Sequence, residues 1–307
     1  VFADRDSVQG ALLSFPVVHP VESSDRGLLE VALEAAAAGA AVLRELFRSS
    51  SLRVRAKGPN DLVSSADHAA EAAIARVIRG HFPDAAFLGE EGGRSGTGSD
   101  ELEWIVDPLD GTNNFLQGLP IFCTSVACCR RGEPVAGVVQ EPLSGTVYSA
   151  VRGGGAWRRA GTPGAAPERL HVSAQSGISG AFLATGFPFR AHAALDLYLA
   201  AFRDVFLQAR AVRRCGAAAL DLAHTAAGIY DGFFEFRLSA WDIAAGVLLV
   251  EEAGGRVSDL DGGRGYFASG NVVAGGEAVW QQLRRAVHHH ADEGRLHAVD
   301  PAGGAVA

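Results

Sequence analysis

The sequence predicts an α+β protein, with helices and strands mixed in two halves, on three observations. Its 307 residues make about two domains at roughly 150 residues each. Helical and extended hydrophobic patterns alternate through both halves. A glycine-rich stretch near the middle, Gly153-Gly154-Gly155 followed by Gly161 to Pro167, reads as a loop and a boundary between subdomains. With 48% hydrophobic and 20% charged residues, the chain has enough apolar material for a sizeable core, which excludes wholesale disorder.

Residues 1–24 read as a poorly ordered extension. The short apolar patch from Ala11 to Val18 is broken by Ser14 and Pro16, and no basic segment precedes it as in a secretory signal. Ser24 and Asp25 offer caps for a long helix with an apolar face through Phe47, and a second helix runs from near Asp67 to about Arg79. Short extended runs follow at Phe87-Leu88, Trp104 to Val106, Thr124 to Cys129, Val135 to Val139 and Val147 to Val151. Beyond the boundary, strands are expected at Phe182 to Ala184, Ala211 to Arg213, Phe233 to Phe236, Val257-Ser258 and Val272 to Ala274. Helices are expected near 193–209, 217–228, 242–253 and 277–287. The division is therefore an N-terminal subdomain over 25–166, a C-terminal one over 167–287 and a flexible tail over 288–307.

Charge narrows the function. Lysine and arginine total 27 against 35 acids, a net charge of −8, which speaks against nucleic-acid binding through a large basic patch and against polybasic attachment to a membrane. No apolar run approaches the roughly 18 residues of a membrane span. The four cysteines have neither metal-site nor disulfide-framework spacing, so buried free thiols in a reducing, cytoplasmic setting are expected. The single lysine, Lys57, stands out among so many arginines, because an ammonium and a guanidinium are not interchangeable in a site.

The most informative segment is Trp104-Ile-Val-Asp107-Pro-Leu-Asp110-Gly111-Thr112. An apolar strand ends in two carboxylates three residues apart. Pro108 fixes the turn, and Gly111 lets a ligand approach the backbone. A helix starting near Thr112 would aim free N–H groups where a phosphate could sit. Carboxylates beside a phosphate repel it unless cations intervene, and such oxygen ligands suit Mg²⁺. Read alone, the segment has an ordinary acidic turn as its alternative, though the less favoured one. Likewise Glu90-Glu91 could be a solvated loop, Asp242 a helix N-cap, and Asp61 to Asp67 another cap.

In order along the chain, Lys57…Asp61-Leu-Val…Asp67, Gly89-Glu90-Glu91, Trp104 to Phe115 and Trp241-Asp-Ile-Ala-Ala-Gly…Glu252-Ala-Gly-Gly resemble the inositol monophosphatase family. This family belongs to the Mg²⁺-dependent, lithium-sensitive phosphatase superfamily. Arg213-Arg-Cys-Gly-Ala-Ala-Ala-Leu-Asp and Gly232-Phe-Phe-Glu235 resemble its bacterial type, and the likeness spans about residues 25 to 287. The resemblance implies a layered α-β-α-β-α sandwich of the sugar-phosphatase type, usually dimeric. It also implies two or three Mg²⁺ ions held by Glu90, Asp107, the carbonyl of Leu109, Asp110 and Asp242. Most of these ligands lie in the N-terminal subdomain, with Asp242 in the C-terminal one.

By the same resemblance Thr112, with Glu90, activates the attacking water, and Asp67 orients the threonine. Lys57 matches the family's lysine. Asp110 and the Gly111–Thr112 backbone meet the phosphate, while Glu235 and the Ala218 backbone face a substrate hydroxyl. Two departures bear on specificity: Ser239 stands where animal members have a histidine, and Arg237 replaces a commonly seen glycine. The implied activity is Mg²⁺-dependent hydrolysis of inositol 1-phosphate and similar small polyol or sugar phosphates by a cytoplasmic homodimer. Histidinol-phosphate phosphatase and fructose-bisphosphatase or nucleotide 3′-phosphatase remain alternatives, as does a non-catalytic regulatory module on the same fold.

Overall fold

The structure, a computed structural model, describes residues 23–58, 61–96, 101–188 and 195–290. The extension expected over 1–24 and the tail expected over 288–307 lie almost wholly outside the described residues. Helix α1 (Ser23–Leu46) leads to a small antiparallel hairpin, β1 (Val54–Gly58) with β2 (Asp61–Ser64), and then to α2 (Ser65–His81). Eight strands follow: β3 (Ala86–Gly89), β4 (Gly93–Ser95), β5 (Leu102–Asp110), β6 (Cys123–Arg130), β7 (Glu133–Gln140), β8 (Val147–Val151), β9 (Gly155–Arg159) and β10 (Glu168–Arg169). They form one sheet in the order β10-β9-β8-β7-β6-β5-β3-β4. Every pairing in it is antiparallel except β3 with β5. A one-and-a-half-turn helix, α3 (Thr112–Gln117), interrupts the meander between β5 and β6.

The second half builds a five-stranded sheet from β11 (Phe182–Thr185), β12 (Ala211–Arg213), β13 (Gly232–Glu235), β14 (Arg256–Ser258) and β15 (Val272–Gly275), in the order β12-β11-β13-β15-β14. The first three strands of that order run parallel, and β15 is antiparallel to both its neighbours. Between the strands come α4 (Leu195–Phe206), α5 (Ala218–Ala226), α6 (Ala240–Glu252), α7 (Tyr266–Ser269) and α8 (Glu277–His288).

Alternation along the strands sorts these elements into five layers. On β6, Cys123, Ala127 and Cys129 pack toward α5 and α6, while Val126 and Cys128 pack toward α1 and α2. On β13, Phe233 joins the same middle layer and Phe234 faces α4 and α8. The result is α1/α2, first sheet, α5/α6, second sheet, α4/α8, the α-β-α-β-α sandwich expected. The middle helices are buried on both sides, which is why α6 reads Ile-Ala-Ala-Gly-Val-Leu-Leu-Val without a polar face. Cys123, Cys128 and Cys129 are buried free thiols.

Some elements differ from the sequence reading. Gly155 opens strand β9 instead of lying in a loop, and β10 pairs with β9, so the first sheet runs past residue 166. The glycines there serve a tight strand-to-strand turn, where Gly153 and Gly155 take φ of +75° and +80°. Their N–H groups donate to the Glu252 carboxylate, each at 2.9 Å. The β1–β2 hairpin is absent from the sequence reading because Val54, Arg55 and Ala56 are exposed and form no apolar run.

One titration follows from this packing. His224 lies in the last turn of α5, where the helix dipole favours an imidazolium. Burial outweighs the dipole: with the rings of Tyr148 and Tyr230 edge-on at 5.8 and 5.6 Å, burial first and the Arg158 charge second lower its pKa from 6.5 to about 4. The unfolded chain therefore takes the proton first on acidification. Stability from this site is complete above about pH 6.5 and is lost as pH falls toward 4. Denaturation midpoints measured across that window should decline, and the His224→Phe variant should show a shallower decline; equal slopes would contradict the assignment.

Candidate active site

Strand β5 delivers the first two acids. Its apolar residues Trp104, Ile105 and Val106 are buried in the sheet, and the chain reaches Asp107 and Asp110 still buried. The β5–β6 register slips between these two residues, a bulge that re-aims side chains at the strand end. The turn is braced by Thr124 Oγ1 donating to the Pro108 carbonyl at 3.1 Å and by the Leu109 N–H donating to Asp107 Oδ1 at 2.9 Å. Gly111 follows at φ +94° as the N-cap of α3. A Cβ there would stand 2.9 Å from the Ile121 carbonyl oxygen, so glycine is required both by its dihedral angle and by space.

Asp67 joins this corner to α2. It is fully buried, and its Oδ2 accepts from the Ser64 N–H at 2.9 Å and the Ser64 hydroxyl at 2.6 Å. Ser64 is the helix N-cap and Asp67 is the third helical residue, forming a capping box. The other oxygen, Oδ1, lies 3.0 Å from Thr112 Oγ1, which is also 3.0 Å from the Leu109 carbonyl. The single hydroxyl hydrogen can serve only one of these acceptors at a time.

Glu90 arrives on the β3–β4 turn, with its N–H donating to the Val106 carbonyl at 3.2 Å. Glu71 of α2 secures the turn by accepting the Glu91 N–H at 2.9 Å. Its carboxylate fills the space that side chains at Gly89 and Gly92 would need. Asp242 enters from α6, whose N-cap is Ser239. Asp242 is therefore the third helical residue of a second capping box and not the cap itself, and its Oδ2 accepts the Ser239 N–H at 2.6 Å. Glu235 ends β13, its carboxylate packed against Gly186 where a Cβ would collide with it.

These elements meet at one cleft, lined by Glu90, Asp107, Leu109, Asp110, Gly111, Thr112, Ala218, Glu235 and Asp242. Burial raises the Asp107 carboxyl well above its ordinary range. The charges of Glu90, Asp110 and Asp242 push it the same way, and a hydrogen bond with Glu90 adds to them. Asp110 is raised to about 6, mainly by burial, against the lowering effect of the Ala219 N–H, which donates to its Oδ2 at 2.8 Å. Burial also raises Glu235, followed by the Asp221 and Asp242 charges, with Arg214 opposing them. Among the described residues, no three acid, histidine or cysteine side chains already form an ion cage.

The residues from 25 to 294 match the model of the inositol monophosphatase family. A protein of Pseudomonas aeruginosa named Nus factor SuhB is 43% identical over 269 residues, covering 86% of this chain and 96% of the relative. The inositol-1-monophosphatase of Mesorhizobium japonicum is 43% identical over 261 residues, covering 85% and 96%. The crystal structure of extragenic suppressor protein suhB from Bartonella henselae superposes with a TM-score of 0.79 at 40% identity, covering 85% of this chain and 98% of that one. This chain belongs to the inositol monophosphatase family. The inositol monophosphatase family is a family of phosphatases, and its fold is the one described above.

Of the residues that the resemblance to inositol monophosphatases singles out, Asp67 stands behind the cleft, touching it through Thr112. Lys57 lies on β1, and its side chain is outside the described residues. Sequence reasoning gave no role to Arg214, although it lines the cleft, or to Asp221, a buried acid on α5 raised chiefly by burial and next by the Asp110 charge. The paired Arg213-Arg214 before Cys-Gly was a visible signal, but nothing in the spacing tied it to Glu235. Asn114 was also missed; its Nδ2 donates to the Ile121 and Cys215 carbonyls at 2.8 Å each, fastening α3 to the chain just before α5. Asp67→Ala removes three hydrogen bonds of this corner and should cost about 2 kcal/mol of stability. A denaturant midpoint within error of the parent would show that the capping box is not holding α2.

Proposed function

We propose that this chain is a Mg²⁺-dependent phosphomonoesterase acting on inositol 1-phosphate and similar compact polyol or sugar phosphates. The observation that carries the reading is the meeting of four carboxylates, Glu90, Asp107, Asp110 and Asp242, beside the Gly111–Thr112 backbone in one cleft. A phosphate dianion cannot approach so many acids unless cations stand between them. The donor set fits Mg²⁺: it is all oxygen, Asp107, Leu109 and Asp110 are buried, and burial together with like charge holds Asp107 and Asp110 above the ordinary carboxylate range. Mg²⁺ is commonly held by one or two carboxylates with several waters retained, so four carboxylates are enough for two or three ions.

Glu90, Asp107, Asp110, Asp242 and the Leu109 carbonyl are the groups assigned to hold the ions. When bound, Mg²⁺ screens the phosphate charge and lowers the pKa of a water at neutral pH. Glu90 would take up the proton of an attacking water, and the Thr112 oxygen would accept a hydrogen bond that orients it. Asp67 keeps the Thr112 hydroxyl directed, because with the Leu109 carbonyl engaged the hydroxyl hydrogen has Asp67 Oδ1 as its acceptor. The N–H groups of Gly111 and Thr112 face the phosphate. Glu235 and the Ala218 backbone face the alcohol, and Lys57 belongs to the site by resemblance alone. Assembly as a homodimer and a cytoplasmic setting complete the reading; no helix among the described residues is long and apolar enough to cross a membrane. The name Nus factor, carried by several relatives, favours a second reading, in which the chain serves as a factor of that kind.

Phosphate release from a panel of inositol, sugar, histidinol and nucleotide monoesters with Mg²⁺ tests the main reading. Turnover should require Mg²⁺ and fall by about two orders of magnitude or more in Asp110→Asn, with the fold retained by circular dichroism. No release from any ester would leave the second reading in its place, and full activity after exhaustive chelation would refute the Mg²⁺ requirement. Glu235→Ala should raise KM about tenfold for a polyol phosphate, since a charge-assisted hydrogen bond to a hydroxyl is lost. An aryl phosphate without hydroxyls should change less, and equal shifts for both would remove Glu235 from substrate recognition.

A further inference from the structure

The second sheet presents the carboxyl ends of three parallel strands to the cleft. Gly186, Phe187 and Pro188 follow β11, Arg214 follows β12, and Phe236 and Arg237 follow β13. Ligands of parallel α/β sheets bind outside such ends, and Phe187, Pro188, Arg214, Phe236 and Arg237 all line the cleft. Strands β12 and β13 flank β11, which sets them roughly 10 Å apart at about 4.8 Å per strand. Two arginine side chains span that distance from either side.

The two arginines differ in what answers their charge. Arg214 faces acids, since its charge opposes the rise of both Asp221 and Glu235. Arg237 makes no ion pair with an acid among the described residues, and its buried Nε has no hydrogen-bond partner. Its backbone is left-handed, at φ +66°, a conformation that costs a side-chain-bearing residue about 1 kcal/mol relative to glycine. A half-buried guanidinium therefore sits in a substrate cleft, at a backbone position glycine would occupy more easily, and among the described residues it makes no direct ion pair. Strain kept at such a site points to function.

We infer that Arg237, assisted by Arg214, forms a subsite for a second anionic group on the substrate, a phosphate or a carboxylate carried by the alcohol beyond the scissile phosphate. The inference rests on the phosphatase reading and narrows it, because a neutral polyol would leave Arg237 unanswered. A planar guanidinium suits either anion through paired N–H donors.

Two ligand pairs separate the anions: fructose 1,6-bisphosphate against fructose 1-phosphate, and 3-phosphoglycerate against glycerol 3-phosphate. Arg237→Gly relieves the left-handed backbone and so folds without penalty, and Arg237→Gln keeps most of the side-chain volume without the charge. In both variants the kcat/KM ratio of the doubly anionic ester to its partner should fall about tenfold or more in at least one pair. The pair that responds identifies the anion, and ratios within twofold of the parent in both pairs would overturn the subsite. If no ester is turned over, the phosphatase reading fails alone. Calorimetric titration with the same four ligands then makes the same comparison, with affinity ratios lowered about tenfold in the variants if the subsite exists and unchanged if it does not.

Discussion

Crowded negative charge is the constraint on which the rest of this structure depends. Asp107 and Asp110 are buried at the end of one strand, and Asp107 feels Glu90 and Asp242 from two other elements. An arrangement of this kind is unfavourable in isolation, because each carboxylate is desolvated and each raises the cost of ionising its neighbour. Backbone N–H groups anchor three of these four acids. The Leu109 N–H holds Asp107, the Ala219 N–H holds Asp110, and the Ser239 N–H holds Asp242. The layers supply the rigidity that keeps these donors aimed.

The anchoring repeats one device. Ser64 with Asp67 and Ser239 with Asp242 are both capping boxes in which the third helical residue is an aspartate. In each, one carboxylate oxygen ends the helix and the remaining oxygen is directed outward. For Asp67 that oxygen reaches Thr112; Asp242 lines the cleft itself. Helix starts are thereby made into mounts for acids in and behind the cleft, and the stability of α2 and α6 becomes part of its geometry.

Legibility in the sequence followed contiguity. Asp107, Asp110, Gly111 and Thr112 lie in one short segment whose strand-then-turn pattern could be read directly. Glu90, Asp242 and Glu235 lie far apart in the chain, and periodicity gave no reason for them to meet; only the ordered likeness to a phosphatase family joined them. The layer order likewise came only with that likeness; the alternation of β6 and β13 between two cores is seen in the structure. The β1–β2 hairpin was not visible, since its exposed residues carry no alternation. Ser239 shows the limit most clearly: its mismatch with animal relatives was evident, yet its role as the cap that positions Asp242 emerges only from its backbone geometry, φ −88° and ψ 165°.

Helix α6 joins two places that nothing in the sequence relates. Its first turn holds Asp242 at the cleft. Its last residue, Glu252, accepts the Gly153 and Gly155 N–H groups of the β8–β9 turn, and Glu251 pairs with Arg152 and Arg264 at 2.7 Å each. Thirteen residues make a rod about 20 Å long. Midway along it Gly246 lies so close to Leu222 of α5 that a Cβ would sit 2.6 Å from the leucine side chain, leaving little freedom to roll or bend. A rod gripped at its middle and moored at its far end leaves its first turn little room to shift. The glycine turn between β8 and β9 is thus one of the fixings that hold Asp242 in place at the opposite end of the helix.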